Sequence, residues 1–294
     1  MQIQLTHGML KATADTSGGE LVSLRDGGGT EYIWSGDPAY WSGRNPILFP
    51  IVGDLENGTV VCDGRPYTMP RHGFARRSEF SIVEQGADFV VFSLTESAET
   101  MQQYPYPFRL RVRHQLTDHG FRTEFEIQNT GEGYLPFCIG AHTAFRCPLF
   151  PGEAFEDYQL VFDHRETASS ILQMPDGTLS HDKRVPILCQ SDTIPLEYHI
   201  FDRYDTLTFD GLRSKGVSLV HKSAGHGIHM EFEDFPMIAF WTKPNSSAPY
   251  ICLEPWHGCA AYDNESGIFN DKPYCMILKQ NEIKKLCYTI QLMM

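Results

Sequence analysis

FRLRVRHQL, residues 108–116, alternates apolar and polar side chains. In an extended chain Phe108, Leu110, Val112, His114 and Leu116 share one face, and Arg109, Arg111, Arg113 and Gln115 the other. The turn-forming TDHG follows. FRTEFEIQN, residues 121–129, then sets Phe121, Phe125 and Ile127 opposite Arg122, Glu124 and Glu126. Two such runs joined by a short polar turn predict an antiparallel hairpin with one wet face.

The same grammar recurs along the chain. FVVFSL (89–94), GVSLVHK (216–222), IHMEFED (228–234), MIAFWTK (237–243) and CYTIQL (287–292) are short β-rich runs bounded by Gly, Pro, Asp, Asn or Ser. Helical pattern is scarce: SAETMQQYP (97–105) allows a couple of turns that stop before Pro105, because the residue preceding a proline is pushed out of the α region. The 25 Gly and 18 Pro suit many turns joining many strands. The expectation is an all-β chain, a large antiparallel β-sandwich forming one domain over residues 1–294. No repeat, low-complexity tract or linker divides it. DGGGT (26–30) reads as a hairpin turn, since a phosphate loop would need a helix after it.

Composition sets the function classes. At 41% hydrophobic and 21% charged residues the chain is of ordinary globular type. A formal net charge of −13 argues against nucleic acid, whose binding needs clustered Lys and Arg. No basic segment leads into an apolar one at MQIQLTHGML, and no apolar run reaches the roughly 18 residues of a membrane span, so a cytoplasmic protein with no membrane partner is expected. Eight cysteines without a C-x-x-C pair read as reduced thiols, and the sequons at Asn57, Asn245 and Asn264 then have no role. A small-molecule substrate is the expected partner, bound by a monomer or homodimer.

Three stretches carry candidate chemistry. RHGFARRSEF (71–80), if extended, would put His72, Phe74 and Arg76 on one face and turn Arg71 and Arg77 to the other, although His72 also suits a hydrogen-bonded turn at Gly73. In CIGAHTAFRCPLF (138–150), His142 lies among Gly140, Ala141 and Ala144, which would let a ligand approach the imidazole; alternatively it is a satisfied core histidine. In APYICLEPWHG (248–258), Cys252, Glu254 and Trp256 share a face. A carboxylate in so apolar a run is unfavourable unless paired or used. Pro255 fixes where it points, and Trp256 offers a flat face to the C–H side of a sugar ring.

LFPIVGDL, RHGFARRSEF, GAHTAFRCP and ICLEPWHG, in that order from GGELVSL near residue 18 to the last strand, resemble the aldose 1-epimerase (galactose mutarotase-like) family. The likeness is nearer to the branch associated with lactose operons and to hexose-6-phosphate 1-epimerases. It implies a supersandwich of antiparallel strands and interconversion of the α and β anomers of a hexose, with no cofactor and no metal. It also implies His142 as the acid toward the ring oxygen and Glu254 as the base toward the anomeric hydroxyl. His72, Arg44 and Arg76 fall on sugar-binding positions, with Asp205, or its neighbour Asp202, as a further ligand, beside the sugar-facing Trp256 read from its own chemistry. Two positions depart from the family pattern: Thr143 stands for a proline, and Asp54 stands for an arginine, which disfavours a phosphorylated sugar.

The chemistry asks for such residues. Anomer exchange opens a cyclic hemiacetal, so one group must take a proton from O1 while another gives one to the ring oxygen, and the roles reverse on closure. A histidine and a glutamate whose pKa is raised by partial burial meet that need near neutral pH. Other readings are a hexose-6-phosphate 1-epimerase, a non-catalytic carbohydrate-binding protein of the same fold, and a glycoside hydrolase, though only Glu254 sits in a convincing acidic motif. A metal enzyme using His142, Glu254 and His257 lacks the helical spacing of zinc proteases.

Overall fold

The computed structural model describes residues 1–293. Its hairpin at 108–129 forms as the alternation requires. Phe108–Thr117 and Gly120–Asn129 pair antiparallel, Phe121 opposite Leu116 and Ile127 opposite Leu110. Phe108, Leu110, Val112, Phe121, Phe125 and Ile127 have no exposed surface. Burying each of these side chains contributes about 2 kcal/mol.

This hairpin lies toward one edge of a 15-stranded sheet whose named pairings are all antiparallel. A twisted sheet of that size curls and packs on itself, which gives the large antiparallel β-sandwich. One continuous cluster of buried side chains runs from Leu5 to Ile290. A three-stranded sheet, Gln2–His7, Leu10–Asp15 and Glu20–Arg25, packs over the 108–117 strand. The DGGGT segment is the predicted turn, with the Gly29 N–H donating to the Asp26 carbonyl at 3.0 Å. The proposed helical turns shrink to Thr100–Gln103, and a helix with no sequence forecast occupies Tyr198–Tyr204.

His114, the one polar residue on the inner face of the 108–117 strand, joins the two sheets. Its Nε2 is 2.9 Å from the Gly19 carbonyl, which can only accept, so the proton resides on Nε2. Nδ1 then accepts from the Thr123 hydroxyl at 2.9 Å, and Thr123 is its cross-strand partner. Burial pushes the imidazole pKa down to about 4, partly opposed by the Gly19 carbonyl.

A histidine held neutral in the fold and free to charge when unfolded lowers stability as pH falls below the unfolded value of about 6.5. The interval down to about 4 corresponds to about 3 kcal/mol. Thermal unfolding followed from about pH 7 to about pH 4 is therefore expected to show a loss of that order, and His114→Gln to flatten it.

Candidate active site

The strand Tyr250–His257 runs through the interior of the large sheet and is buried along almost its whole length. On one side it pairs with two short strands, Ile139–Ala141 and Thr143–Arg146, and on the other with Met237–Trp241. Gly140 lies opposite Trp256 and Thr143 opposite Leu253, so the same register sets His142 opposite Glu254. Directly opposed residues project to one face of a sheet and touch. His142 Nε2 lies 3.3 Å from Glu254 Oε2.

Small residues flank the pair, for a reason other than ligand access. A Cβ on Gly140 would come within 2.7 Å of Trp256 Cδ1 and 3.0 Å of the Pro255 carbonyl oxygen, so the glycine makes room for the indole across from it. Ala144 likewise lies opposite Cys252. Trp41 stacks on the His142 ring with centroids 4.7 Å apart, while Trp241 and His72 meet it edge-on at 5.7 and 5.6 Å.

RHGFARRSEF is not extended. His72 and Gly73 have φ of 66° and 71°, in the left-handed region, and Ala75–Arg77 forms a single 3-10 turn. Glycine is required at 73, since a Cβ there would collide with the Phe49 carbonyl, which accepts from the Phe74 and Ala75 N–H groups at 3.1 and 3.2 Å. The two-faced split of the arginines is therefore corrected: the turn brings Arg71 to the same cavity as His72 and Arg76, and Arg77 lines a separate groove. His72 Nδ1 accepts the Gly53 N–H at 3.0 Å, and its Nε2 lies 3.3 Å from Arg71 Nε.

His142, Glu254, His72, Arg76, Asp205 and Trp256 all line one cavity of about 300 Å³. That is the lower end of small-molecule pockets. Asp205 reaches it from the residue that ends the Tyr198–Tyr204 helix, whereas Asp202 accepts the Asn245 N–H at 2.6 Å outside it. Arg44 is not brought to this cavity: its Nε donates to the Ser35 carbonyl at 2.8 Å, beside the three-stranded sheet. Sequence reasoning missed Trp41, Trp241, Arg71, Thr206 and Thr208, which also line the cavity. Alternation in MIAFWTK held a signal for Trp241; Trp41 lies in a loop that held none.

Buried polar atoms that make no hydrogen bond gather here: His142 Nδ1, Glu254 Oε2, whose approach to His142 is not aligned as one, and Trp256 Nε1. Such atoms are uncommon in a stable fold unless the site uses them. Burial drives the Glu254 carboxyl well above the usual carboxylate range, with Arg71, the Trp256 indole and Arg76 opposing it. Burial, together with Arg76 and Arg71, holds His142 well below the ordinary histidine value. Burial thus opposes charge on both members of the pair. His142, Cys252 and Glu254 present possible metal ligands within 4.8 Å of one another, but the Arg71 and Arg76 guanidiniums make the cavity unfavourable to a cation. His257 does not join them; its Nδ1 donates to the Tyr274 carbonyl at 2.8 Å.

The family model described as aldose 1-epimerase matches residues 1–290. The chain belongs to the aldose 1-epimerase family. Among relatives, it is 38% identical to the plasmid-encoded protein LacX of Lactococcus lactis subsp. lactis, with all of both chains covered. Among solved structures, a galactose mutarotase related enzyme from Lactobacillus acidophilus superposes with a TM-score of 0.95 at 26% identity, over 100% of this chain and 98% of that one. A galactose mutarotase-like protein from Lactobacillus casei gives 0.92 at 25% identity with both chains fully covered. Aldose 1-epimerase family membership thus agrees with the sheet architecture and supports a carbohydrate epimerase.

Glu254 also has a consequence for stability. A carboxyl whose folded pKa is raised stabilises the fold only below its unfolded value, and that contribution is lost as pH climbs toward the folded pKa. Glu254→Gln removes the titration. Its melting temperature is expected to match the parent near pH 4 and to exceed it by about 2 °C or more above about pH 6, in a differential scanning series.

Proposed function

We propose that this protein is an isomerase that interconverts the α and β anomers of a free hexose, with His142 and Glu254 as its proton-transfer pair. The observation that carries the reading is the 3.3 Å approach of His142 Nε2 to Glu254 Oε2 beside the cavity. O1 and the ring oxygen are both bonded to C1, so groups that serve them must stand side by side. Neighbouring strands bring these two side by side.

The pair shares one mobile proton. With the proton shifted to His142, Glu254 takes the proton of the O1 hydroxyl as His142 gives its own to the ring oxygen. The C1–ring oxygen bond breaks and the C1–O1 double bond forms. Rotation about C1–C2 presents the other carbonyl face. On closure His142 recovers its proton from the C5 hydroxyl as that oxygen attacks C1, and Glu254 returns its proton to O1. Arg71 and Arg76 favour the ionised carboxylate that burial alone would suppress. His72 and Arg76 hydrogen-bond sugar oxygens, Asp205 accepts hydroxyls, and the indoles of Trp41, Trp241 and Trp256 supply apolar surface to C–H faces.

Asp54 Oδ2 lies 3.5 Å from Arg71 Nε and so engages a cation that a phosphoryl group would otherwise use. This favours an uncharged hexose over its 6-phosphate.

Glu254→Gln and His142→Asn are expected to fold and to lose about 10²–10⁴-fold in anomer exchange, followed by polarimetry on fresh α-glucose and α-galactose. Wild-type rates in both variants would refute the assignment. Glucose 6-phosphate at millimolar level should leave the wild-type rate unchanged, while Asp54→Asn should make it a measurable inhibitor; strong competition against the wild type would reverse the preference for free sugars.

A further inference from the structure

Two thiols that the anomer-exchange reading leaves unused face each other across a short strand pair outside the cavity. Leu135–Phe137 and Met276–Leu278 run antiparallel, with Leu135 opposite Leu278, Pro136 opposite Ile277 and Phe137 opposite Met276. The next step of that register sets Cys138 opposite Cys275. Opposed residues of an antiparallel pair alternate between those that exchange backbone hydrogen bonds and those that do not, and the latter stand closer, with Cα atoms about 4.5 Å apart. Pro136 has no N–H to give, so its pair with Ile277 is of the second kind, and two residues on so is Cys138 with Cys275. The amides agree. The Cys138 N–H donates to the Pro50 carbonyl at 2.8 Å and the Cys275 N–H to the Lys272 carbonyl at 3.0 Å, neither to the other. A Cα separation of about 4.5 Å falls at the short end of the range a disulfide spans, which favours a bond that is readily reduced again.

The surroundings suit the two thiols to each other. The Cys138 side chain is the foremost cause that pushes the Cys275 pKa up, ahead of burial, an influence that requires the two sulfurs to approach. Gly258 makes room for Cys138, since a Cβ there would stand 2.4 Å from Cys138 Cβ and 2.7 Å from its Sγ. Lys272, buried in an ion pair with Glu265 at 3.0 Å, favours the thiolate of Cys275. Cys138 is fully buried and Cys275 half-buried, so a reagent reaches the pair through Cys275. Four of the other thiols face different residue types: Cys62 lies opposite Arg65, Cys189 opposite Thr167, Cys252 opposite Ala144 and Cys287 opposite Glu124. From the register, the backbone bonds withheld between the two residues and the exposure of one of them, we propose that Cys138 and Cys275 form a reversible intrachain disulfide when the protein meets a peroxide. The Cys275 thiolate attacks one peroxide oxygen, the O–O bond breaks, and Cys275 becomes a sulfenic acid as the other oxygen leaves as water. The Cys138 sulfur then attacks that of Cys275. The S–O bond breaks, and its oxygen leaves as water with the Cys138 proton. Two thiols are oxidised to one disulfide, and the peroxide is reduced to two waters.

The test exposes the folded wild type to hydrogen peroxide at about pH 8.5, because the raised pKa of Cys275 keeps its thiolate scarce at neutral pH. Remaining thiols are blocked with iodoacetamide in denaturant, and the peptides are mapped by mass spectrometry. The expected result is the loss of free thiol at both positions and a peptide pair joined through Cys138 and Cys275. That pair is two hydrogens lighter than its reduced parts, and dithiothreitol separates it. Cys275→Ser should lose the joined pair and leave Cys138 open to the alkylating agent. Complete alkylation of Cys138 and Cys275 in a sample whose exposed Cys189 has been oxidised would overturn the proposal. So would sulfinic acid at Cys275 with Cys138 still free, or a link from Cys138 to the neighbouring Cys259 in place of Cys275.

Discussion

The cross-strand register between residues 139–146 and 250–257 is the constraint on which the site depends. It opposes Gly140 to Trp256, His142 to Glu254 and Ala144 to Cys252. Each small residue on one strand faces a larger one on the other, so the indole fits and the imidazole meets the carboxyl. A slip of one residue would turn His142 to the other face of the sheet and end the contact. Backbone hydrogen bonds across several strands hold the pair, and no flexible side chain has to search for its partner.

Burial gives the pair its electrostatic character. Away from water, neither an imidazolium nor a carboxylate is stable by itself, so burial lowers the His142 pKa and raises that of Glu254. Two guanidiniums at the cavity wall act in the same direction on both groups: they favour the carboxylate and disfavour the imidazolium.

Most of the fold was legible in the sequence, because strand alternation is a local signal and the 108–129 hairpin prints it on every residue. The all-β architecture and the short strands at 89–95, 216–221 and 237–241 followed from the same signal. The Tyr198–Tyr204 helix did not, since seven residues are too few to establish a helical period. At the site, His142, Glu254, His72, Arg76, Asp205 and Trp256 were legible through motif likeness, and their gathering at one cavity needed the three-dimensional register. Arg71 was misread because extended geometry was assumed where His72 and Gly73 turn the chain with positive φ. Arg44, four residues before Leu48 of the LFPIVGDL segment, shows the converse: closeness in sequence to a site motif did not carry its side chain there. Trp41 sits in a loop, where no periodic pattern announces which residue will fold back over an imidazole.

The chamber draws its parts from two kinds of backbone. His142 and Glu254 stand on or between interior strands of a 15-stranded sheet, while Trp41, Arg71 and residues 174–177 belong to turns outside it. Descent with modification meets these parts under different rules. Turns accept insertion, deletion and exchange with little penalty to the sheet, so lineages built on this scaffold are free to remodel the mouth and keep the cross-strand pair beneath it unaltered.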